Sequence, residues 1–351
     1  MESKNLIKLA HVNFAKGFRG GERQTLLLIK ELAHRGYIQK VITRKESDLA
    51  KKLEGTKNLE IIKISKPYIL HLSQIADASL IHAHETKGAQ FSYFANLIFK
   101  RPYIITRRVD NPIKNNFFNK KIYQNSKYTI ALSNAIKDET LKIDNDINIK
   151  IIPSAYSQLN TNAIKIKNIK NQFKDKFLIG HIGELDNTHK GQFYLIEAMK
   201  TIAEKYPEIH LILLGRGKDE QKYKNQANNL TNITFEGFVD NVGDYIQCFD
   251  MFVFPSLHEG LGSILFDVMQ SNVPIIATNT GGIPDIIQND KNGILVPIKN
   301  VEEIYKAIEK LYLDKILRDR LTHDSLKNLE QYSFTNMADK YINLYTEILK
   351  K

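Results

Sequence analysis

Cysteine is nearly missing from this chain: Cys248 is the only one. That excludes an intrachain disulfide and any cysteine-built metal cluster. Between Gln247 and Phe249 it reads as a small core residue, with no adjacent base to lower its pKa. Long apolar runs are missing too. LILL and MFVFP stop far short of the roughly 20 residues that span a bilayer. The opening MESKNLIKLAHVNF lacks the apolar core and small-residue cleavage site of a secretory leader. These absences lead us to expect a soluble chain in a reducing, cytoplasmic setting. There is no short internal repeat and no low-complexity tract. Neither the G-K-[ST] of a P-loop nor a G-x-G-x-x-G dinucleotide fingerprint occurs.

What is present is enough apolar material for two cores. Of 351 residues, 42% are hydrophobic, and single cores stop growing before about 300 residues. Lys and Arg number 50 against 39 Asp and Glu, a net charge of +11. An excess of that size fits nucleic acid, an anionic membrane surface or a phosphorylated substrate. The lysines are spread along the chain, which favours a generally basic surface over a nucleic-acid arm.

Short apolar runs alternate with amphipathic stretches. Leu6–Asn13, Lys40–Thr43, Leu80–His84, Tyr103–Thr106, Thr129–Leu132 and Lys150–Ile152 read as strands. Glu22–His34 reads as a helix with Leu26, Ile29, Leu32 and Ala33 on one face. The polar, Asn- and Lys-rich stretch from Pro153 to Lys176 breaks the pattern. The alternation then restarts with strands at Phe177–Ile182, His210–Leu214, Ile233–Phe235, Met251–Phe254, Pro274–Ala277 and Gly293–Val296. Helices fit at 191–205, 218–228, 243–248, 263–270, 301–313 and 335–350. A βα alternation predicts parallel, doubly wound sheets. We therefore expect an α/β chain with two Rossmann-like domains, 1–155 and 177–334, joined by a linker at 156–176. Ligands in such sheets bind beyond the carboxyl ends of the strands, so two facing halves would make a cleft.

The segment FPSLHEGLGSILFDVM carries the densest chemistry. Glu259 stands in a loop after a strand, Gly260 and Gly262 flank Leu261, and a helix is expected from Ser263. Glycines there let a backbone approach a ligand, and free helix N–H groups suit a phosphate. Asp267 follows one turn later. Two carboxylates so spaced could hold hydroxyls at two ends of a ligand; a plain strand-to-helix turn with a capping Ser explains the spacing equally well. In TNTGGIPD, Gly281-Gly282 follow a strand, and Asp285 could simply complement a helix dipole. Lys190, in GHIGELDNTHKGQ, sits between a strand and a helix, where a cation could stabilise charge developing on a leaving group. In the first half, Gly20 and Gly21 form a loop between strand and helix. His82 and His84 lie at a strand end. Arg107 and Arg108 close another strand and could meet acceptor phosphates.

Taken together, these segments resemble the family 4 glycosyltransferases, retaining enzymes of the GT-B fold. The motifs run in the family's order over nearly the whole chain. The most specific are FEGFV (Phe235 to Val239) followed by FDMFVFPSLHEGLG, then GGIPD and NGILVP. The resemblance implies that Glu259 contacts a donor sugar, Asp267 the ribose, and Lys190 the diphosphate. It implies that backbone amides around Gly260, Leu261, Gly262 and Ser263 meet the phosphates. Gly20 and Gly21 match a loop near donor phosphates and acceptor, and His84 a histidine near the donor sugar. Loops at Gly215-Arg216-Gly217 and Phe238-Val239 would flank the nucleobase. The last helix, 335–351, would cross back to the first domain. Two positions depart from the family. Asp267 replaces a usual Glu, and Gly183-Glu184-Leu185 replaces G-R-L, so the usual diphosphate arginine is absent. Arg216, His189 or an N-terminal residue would substitute, or Lys190 and the helix dipole would suffice.

The expected activity is a retaining transfer of a hexose from GDP-mannose or UDP-glucose to a lipopolysaccharide core or another glycan or lipid-linked acceptor. No cofactor, metal or nucleic acid is expected. A peripheral place on the cytoplasmic face of the inner membrane would suit the basic balance. Two other readings compete: a nucleotide-sugar-binding protein without turnover, and a GT-B nucleotide-sugar 2-epimerase, which needs no acceptor.

Overall fold

A computed structural model describes residues 7–157, 159–327 and 329–350. The chain divides into two compact units, one of residues 1–155 and 332–351, the other of residues 156–331.

In the first unit the strands are β1 (Lys8–Asn13), β2 (Ile38–Arg44), β3 (Leu59–Ile64), β4 (Leu80–Ala83), β5 (Tyr103–Arg107), β6 (Tyr128–Ala131) and β7 (Ile149–Ile151). They form a parallel sheet in the order β3-β2-β1-β4-β5-β6-β7. The helices are α1 (Gly20–His34), α2 (Asp48–Leu53), α3 (Thr86–Phe99), α4 (Phe117–Gln124) and α5 (Asn134–Leu141), with a 3-10 helix at Tyr68–Ile75. One face of the sheet packs under α3, α4 and the 3-10 helix through Ile81, Phe91, Ala95 and Ile122. The other packs under α1 and the last helix, α13 (Phe334–Leu349), through Leu9, Leu28, Ile104, Tyr341 and Leu344. α13 thus belongs to the first unit.

The second unit has β8 (Phe177–Ile182), β9 (Ile209–Leu214), β10 (Ile233–Gly237), β11 (Met251–Phe254), β12 (Ile275–Thr278) and β13 (Ile294–Val296). Their order is β10-β9-β8-β11-β12-β13, again parallel. Its helices are α6 (Ala163–Gln172), α7 (Gln192–Lys205), α8 (Glu220–Gln226), α9 (Val242–Ile246), α10 (Ile264–Gln270), α11 (Val301–Leu313) and α12 (Lys315–Lys327). Strands of a parallel sheet are buried on both faces, and every residue of β9, β11 and β12 is buried. The two sheets are the doubly wound pair predicted from the βα alternation.

The stretch 156–176 falls in the second unit. Within it Asn162 caps α6 through its side chain, and the Asp244 carboxylate accepts from the Asn162 N–H at 2.6 Å. Only Ile169 of α6 is buried, which is why no apolar stripe marks the helix in the sequence.

Candidate functional site

In an open α/β sheet the crevice lies where the strand order reverses, beyond the carboxyl ends of the strands. In the second unit that point is between β8 and β11. Lys190 stands in the loop after β8 and Glu259 in the loop after β11, and they meet there: Lys190 Nζ lies 2.6 Å from Glu259 Oε2. Both side chains are largely covered, at 24% and 17% exposure. The ammonium also rides over the Phe254 ring, 5.4 Å from its centre.

The two loops are held by backbone. Leu257 N donates to His189 O at 2.7 Å, and Gly282 N donates to Glu259 O at 2.9 Å. Thr280 Oγ1 donates to Leu257 O at 3.0 Å. Gly191 has φ +64, and a Cβ there would stand 2.0 Å from Pro255 O. Gly281 has φ +52, and a Cβ there would stand 1.9 Å from Glu259 O. Only glycine fits both the left-handed backbone and the approach. Behind them His181 bonds Val253 O through Nδ1 and Gln192 Nε2 donates to Glu184 O. Burial lowers the His181 pKa to about 4.

The remaining second-unit residues group around this crevice unevenly. Gly260, Leu261 and Gly262 are buried and Ser263 half-buried, ahead of α10, where Leu265 N bonds Gly262 O. Ser263 makes no side-chain cap. Asp267 is 3% exposed and accepts from Ser157 N at 2.7 Å and Ser157 Oγ at 3.3 Å. It therefore ties residue 157 to α10 in this structure. Gly183, half-buried, lies beside His181, and Arg216 is exposed beside Gly237. Phe238 is 68% exposed, and Val239 is half-buried next to it. Among the departures, Glu184 is exposed, and His189 Nδ1 bonds Thr188 Oγ1 at 2.6 Å.

In the first unit the order reverses between β1 and β4. His11 of β1 pairs in register with His82 of β4. Residues two apart on a strand share a face, so His84 joins them. All three are buried. Their nitrogens are engaged: His11 Nδ1 with His84 Nε2 at 2.9 Å, His11 Nε2 with Gln39 Oε1 at 3.0 Å, and His82 with Tyr345 Oη and Thr106 Oγ1, each at 2.7 Å. Three imidazoles this close could suggest a metal site, but each His11–His84–His82 nitrogen facing its neighbours is already spent on these bonds or on Arg108.

The chain of bonds fixes tautomers. Gln39 Nε2 donates to Ile29 O at 3.0 Å, so its Oε1 must accept from His11 Nε2–H. His11 Nδ1 is then an acceptor and takes the proton of His84 Nε2–H. His84 Nδ1 is left as an acceptor, and Arg108 Nη2 lies 3.4 Å from it. Burial lowers His11 to about 4 and holds His82 and His84 well below 6.5, with the neighbouring imidazoles and Arg108 adding to the effect on His84. All three are neutral near pH 7.

Arg107 and Arg108 part company, as successive residues at a strand end must. Arg107 turns inward, donating to Asn111 O and reaching Tyr123 Oη. Arg108 lies across Gly21, where a Cβ would meet its Cδ at 3.1 Å, and reaches Thr25 Oγ1 and His84. Burial lowers its pKa. Gly20 opens α1 and is exposed. The structure thus brings Lys190, Glu259 and the Gly260–Ser263 loop together in one unit, and Gly21, His84 and Arg108 in the other. His11, Gln39 and Ser157 were not anticipated. His11 within the apolar run of β1 was the signal for the first; Gln39, the second residue of β2, lies ahead of the strand read from the sequence.

Comparison with known proteins follows this geometry. Residues 162–327 match the family described as Glycosyl transferases group 1. Over 176 residues the chain is 31% identical to the putative glycosyltransferase EpsD of Bacillus subtilis, covering 49% of this chain and 46% of that one. It is 24% identical to the lipopolysaccharide core biosynthesis glycosyltransferase LpsE of Rhizobium meliloti, over 96% of this chain and 98% of that one. Thus the chain spans under half of the one relative and nearly all of the other. The crystal structure of Anabaena HepE in complex with UDP-glucose superposes with a TM-score of 0.83 at 18% identity, covering 97% of this chain and all of that one. The chain therefore has the two-sheet GT-B fold, and the stretch of its second unit from 162 to 327 is similar to the glycosyl transferases group 1 family.

Proposed function

We propose that this chain transfers a hexose from a nucleotide-sugar to a glycan or lipid-linked acceptor, with retention and without a metal. The observation that carries the reading is the half-buried Lys190–Glu259 pair at the strand-order reversal of the second sheet. A nucleotide diphosphate entering there competes with Glu259 for the ammonium. Lys190 then faces the leaving phosphate, and Glu259 is released to accept from sugar hydroxyls. The bond from the anomeric carbon to the diphosphate oxygen breaks with the negative charge drawn onto that oxygen, which Lys190 stabilises. The acceptor hydroxyl bonds to the same face of that carbon and passes its proton to the leaving phosphate. In the first unit, Arg108 is the cation we assign to acceptor binding, and neutral His84, whose Nδ1 faces it as an acceptor, orients it without adding charge.

HepE is described in complex with UDP-glucose, which supports a UDP-sugar over GDP-mannose as the first donor to try. LpsE, a lipopolysaccharide core enzyme by name, supports a core or lipid-linked acceptor. The test is a thermal-shift screen of UDP-glucose and GDP-mannose on the full chain, followed by transfer assays read by product mass. A ligand that binds only the folded state raises Tm. We expect a shift with at least one donor, lost in Glu259→Ala, and an acceptor-dependent gain of one hexose. Conversion of the donor alone to an epimer, or binding without turnover on any acceptor, would overturn the reading. Activity abolished by a chelator and restored by divalent ions would overturn its metal-free part.

A further inference from the structure

We infer that Gln39 and His11 are positioning residues, which set His84 so that it holds the Arg108 guanidinium ready for an anionic oxygen of the acceptor. This rests on the transfer reading and adds to it the chemistry of the acceptor group. Arg108 stands at the strand-order reversal of the first sheet, half-buried, beside Gly21 in the first turn of α1. Its bonds are few and long. Nη2 reaches Thr25 Oγ1 and His84 Nδ1, each at 3.4 Å, and Nε is sealed from solvent with no partner. Among the described residues no carboxylate pairs with it; Glu22 acts on it from a distance and accepts instead from Arg19 N at 3.0 Å. Thr25 spends its own proton on Gly21 O at 3.0 Å. Both groups facing the guanidinium therefore offer lone pairs and no charge. A covered cation is costly until it is paired, and an anionic oxygen would pair it.

The lone pair on His84 is set from behind. A neutral imidazole carries its proton on one nitrogen or the other. With that proton on Nδ1, His84 would confront Arg108 donor to donor. Instead Nε2 donates to His11 Nδ1, 2.9 Å away. His82, with its ring centre 3.9 Å from that of His84, does not compete, because Tyr345 Oη and Thr106 Oγ1 engage both its nitrogens. His11 can accept only while Gln39 Oε1 takes the proton on its other nitrogen, and Ile29 O fixes which way that amide faces. Gln39, His11 and His84 are at most 3% exposed. Apolar side chains would fill those places with no polar group to desolvate. The use of the chain lies at its end, where it presents a lone pair to Arg108.

Two readouts on the full chain test this. The first follows the ¹⁵N signals of the Arg108 side chain during titration with inorganic phosphate, which needs no turnover. We expect a saturable shift in the parent and an affinity lower by about tenfold in His11→Leu. Near-parental affinity is expected in His11→Asn, whose amide oxygen can still accept from His84 Nε2–H. Packing alone would rank the two variants the other way, since Leu fills the site better than Asn. The second is steady-state transfer from UDP-glucose to a deacylated lipopolysaccharide core. KM for the acceptor should rise by about tenfold in His11→Leu, with kcat and the KM for UDP-glucose nearly unchanged. Gln39→Leu should move both readouts in the same direction, and it carries the comparison if His11→Leu does not fold. Arg108 signals that ignore phosphate, or variants with parental affinity, would overturn the proposal. So would a rise confined to the KM for UDP-glucose, which would assign the anion to the donor. If the parent transfers no hexose while the phosphate titration behaves as expected, the transfer reading fails and the positioning of Arg108 stands.

Discussion

Lys190 and Glu259 are separated by 69 positions and by 2.6 Å. Each was legible as a charged residue in a loop after a strand, but their pairing was not. It depends on β8 and β11 being neighbours, which no local pattern encodes. Replacing Lys190 by Ala should lower kcat roughly 100-fold or more if the ammonium meets charge developing on the leaving group. Steady-state kinetics on a variant with unchanged circular dichroism checks this; an unchanged kcat would refute the role. Gly191→Ala tests the loop clamp. The left-handed φ costs about 1 kcal/mol or more, and the contact with Pro255 O adds to it, so a lower Tm is expected. Gln39→Leu strands the His11 Nε2–H in the interior, at a cost of about 1–3 kcal/mol. It also frees His11 to change tautomer. Chemical denaturation should show the loss, and ¹⁵N shifts of the His84 ring should show Nε2 no longer held as the sole protonated nitrogen. Unmoved shifts would mean that Gln39 does not set the tautomer.

Strands that are buried on both faces announced themselves. β8 and β11 lie at the boundaries predicted from their apolar runs, and α11 does too, because its stripe of Ile304, Ala307, Ile308 and Leu311 is unbroken. β3 was not anticipated. It is an edge strand, LEIIKI, with Glu60 and Lys63 turned to solvent and only Ile64 fully buried, so its alternation is weak. α12 was missed for a related reason: Leu317, Leu321 and Ser325 are its only buried residues among those described. The last helix was legible from Met337, Tyr341, Leu344, Tyr345 and Ile348, all buried. Its entry depends on Ser333, whose hydroxyl accepts from Asn336 N at 3.2 Å. Ser333→Ala should cost about 1 kcal/mol, read as a lower urea midpoint for the unit that contains β1 to β7.

Across the whole molecule, pH acts on both units through buried neutral histidines. His11 and His181 each have folded pKa values lowered from 6.5 to about 4. Between those values the unfolded chain binds protons that the folded chain refuses, so stability rises with pH there. The contribution is complete above about 6.5 and is lost as pH falls toward 4, at roughly 1 kcal/mol per pH unit per histidine. Urea midpoints measured at pH 7.5, 6.5 and 5.5 should be level between the first two and drop at the third. A flat profile would mean that these imidazoles are not held neutral.

The return of α13 to the first sheet has a cost in time. Leu9, Leu80, Ile104 and Ile130 of β1, β4, β5 and β6 are roofed in part by Tyr341, Leu344 and Tyr345. A ribosome must add all of residues 156–331 before it reaches them, roughly 10 to 40 s at about 5 to 20 residues per second. Through that interval the nascent first sheet has only α1 over that face, and the apolar side chains that α13 will cover stay open to solvent.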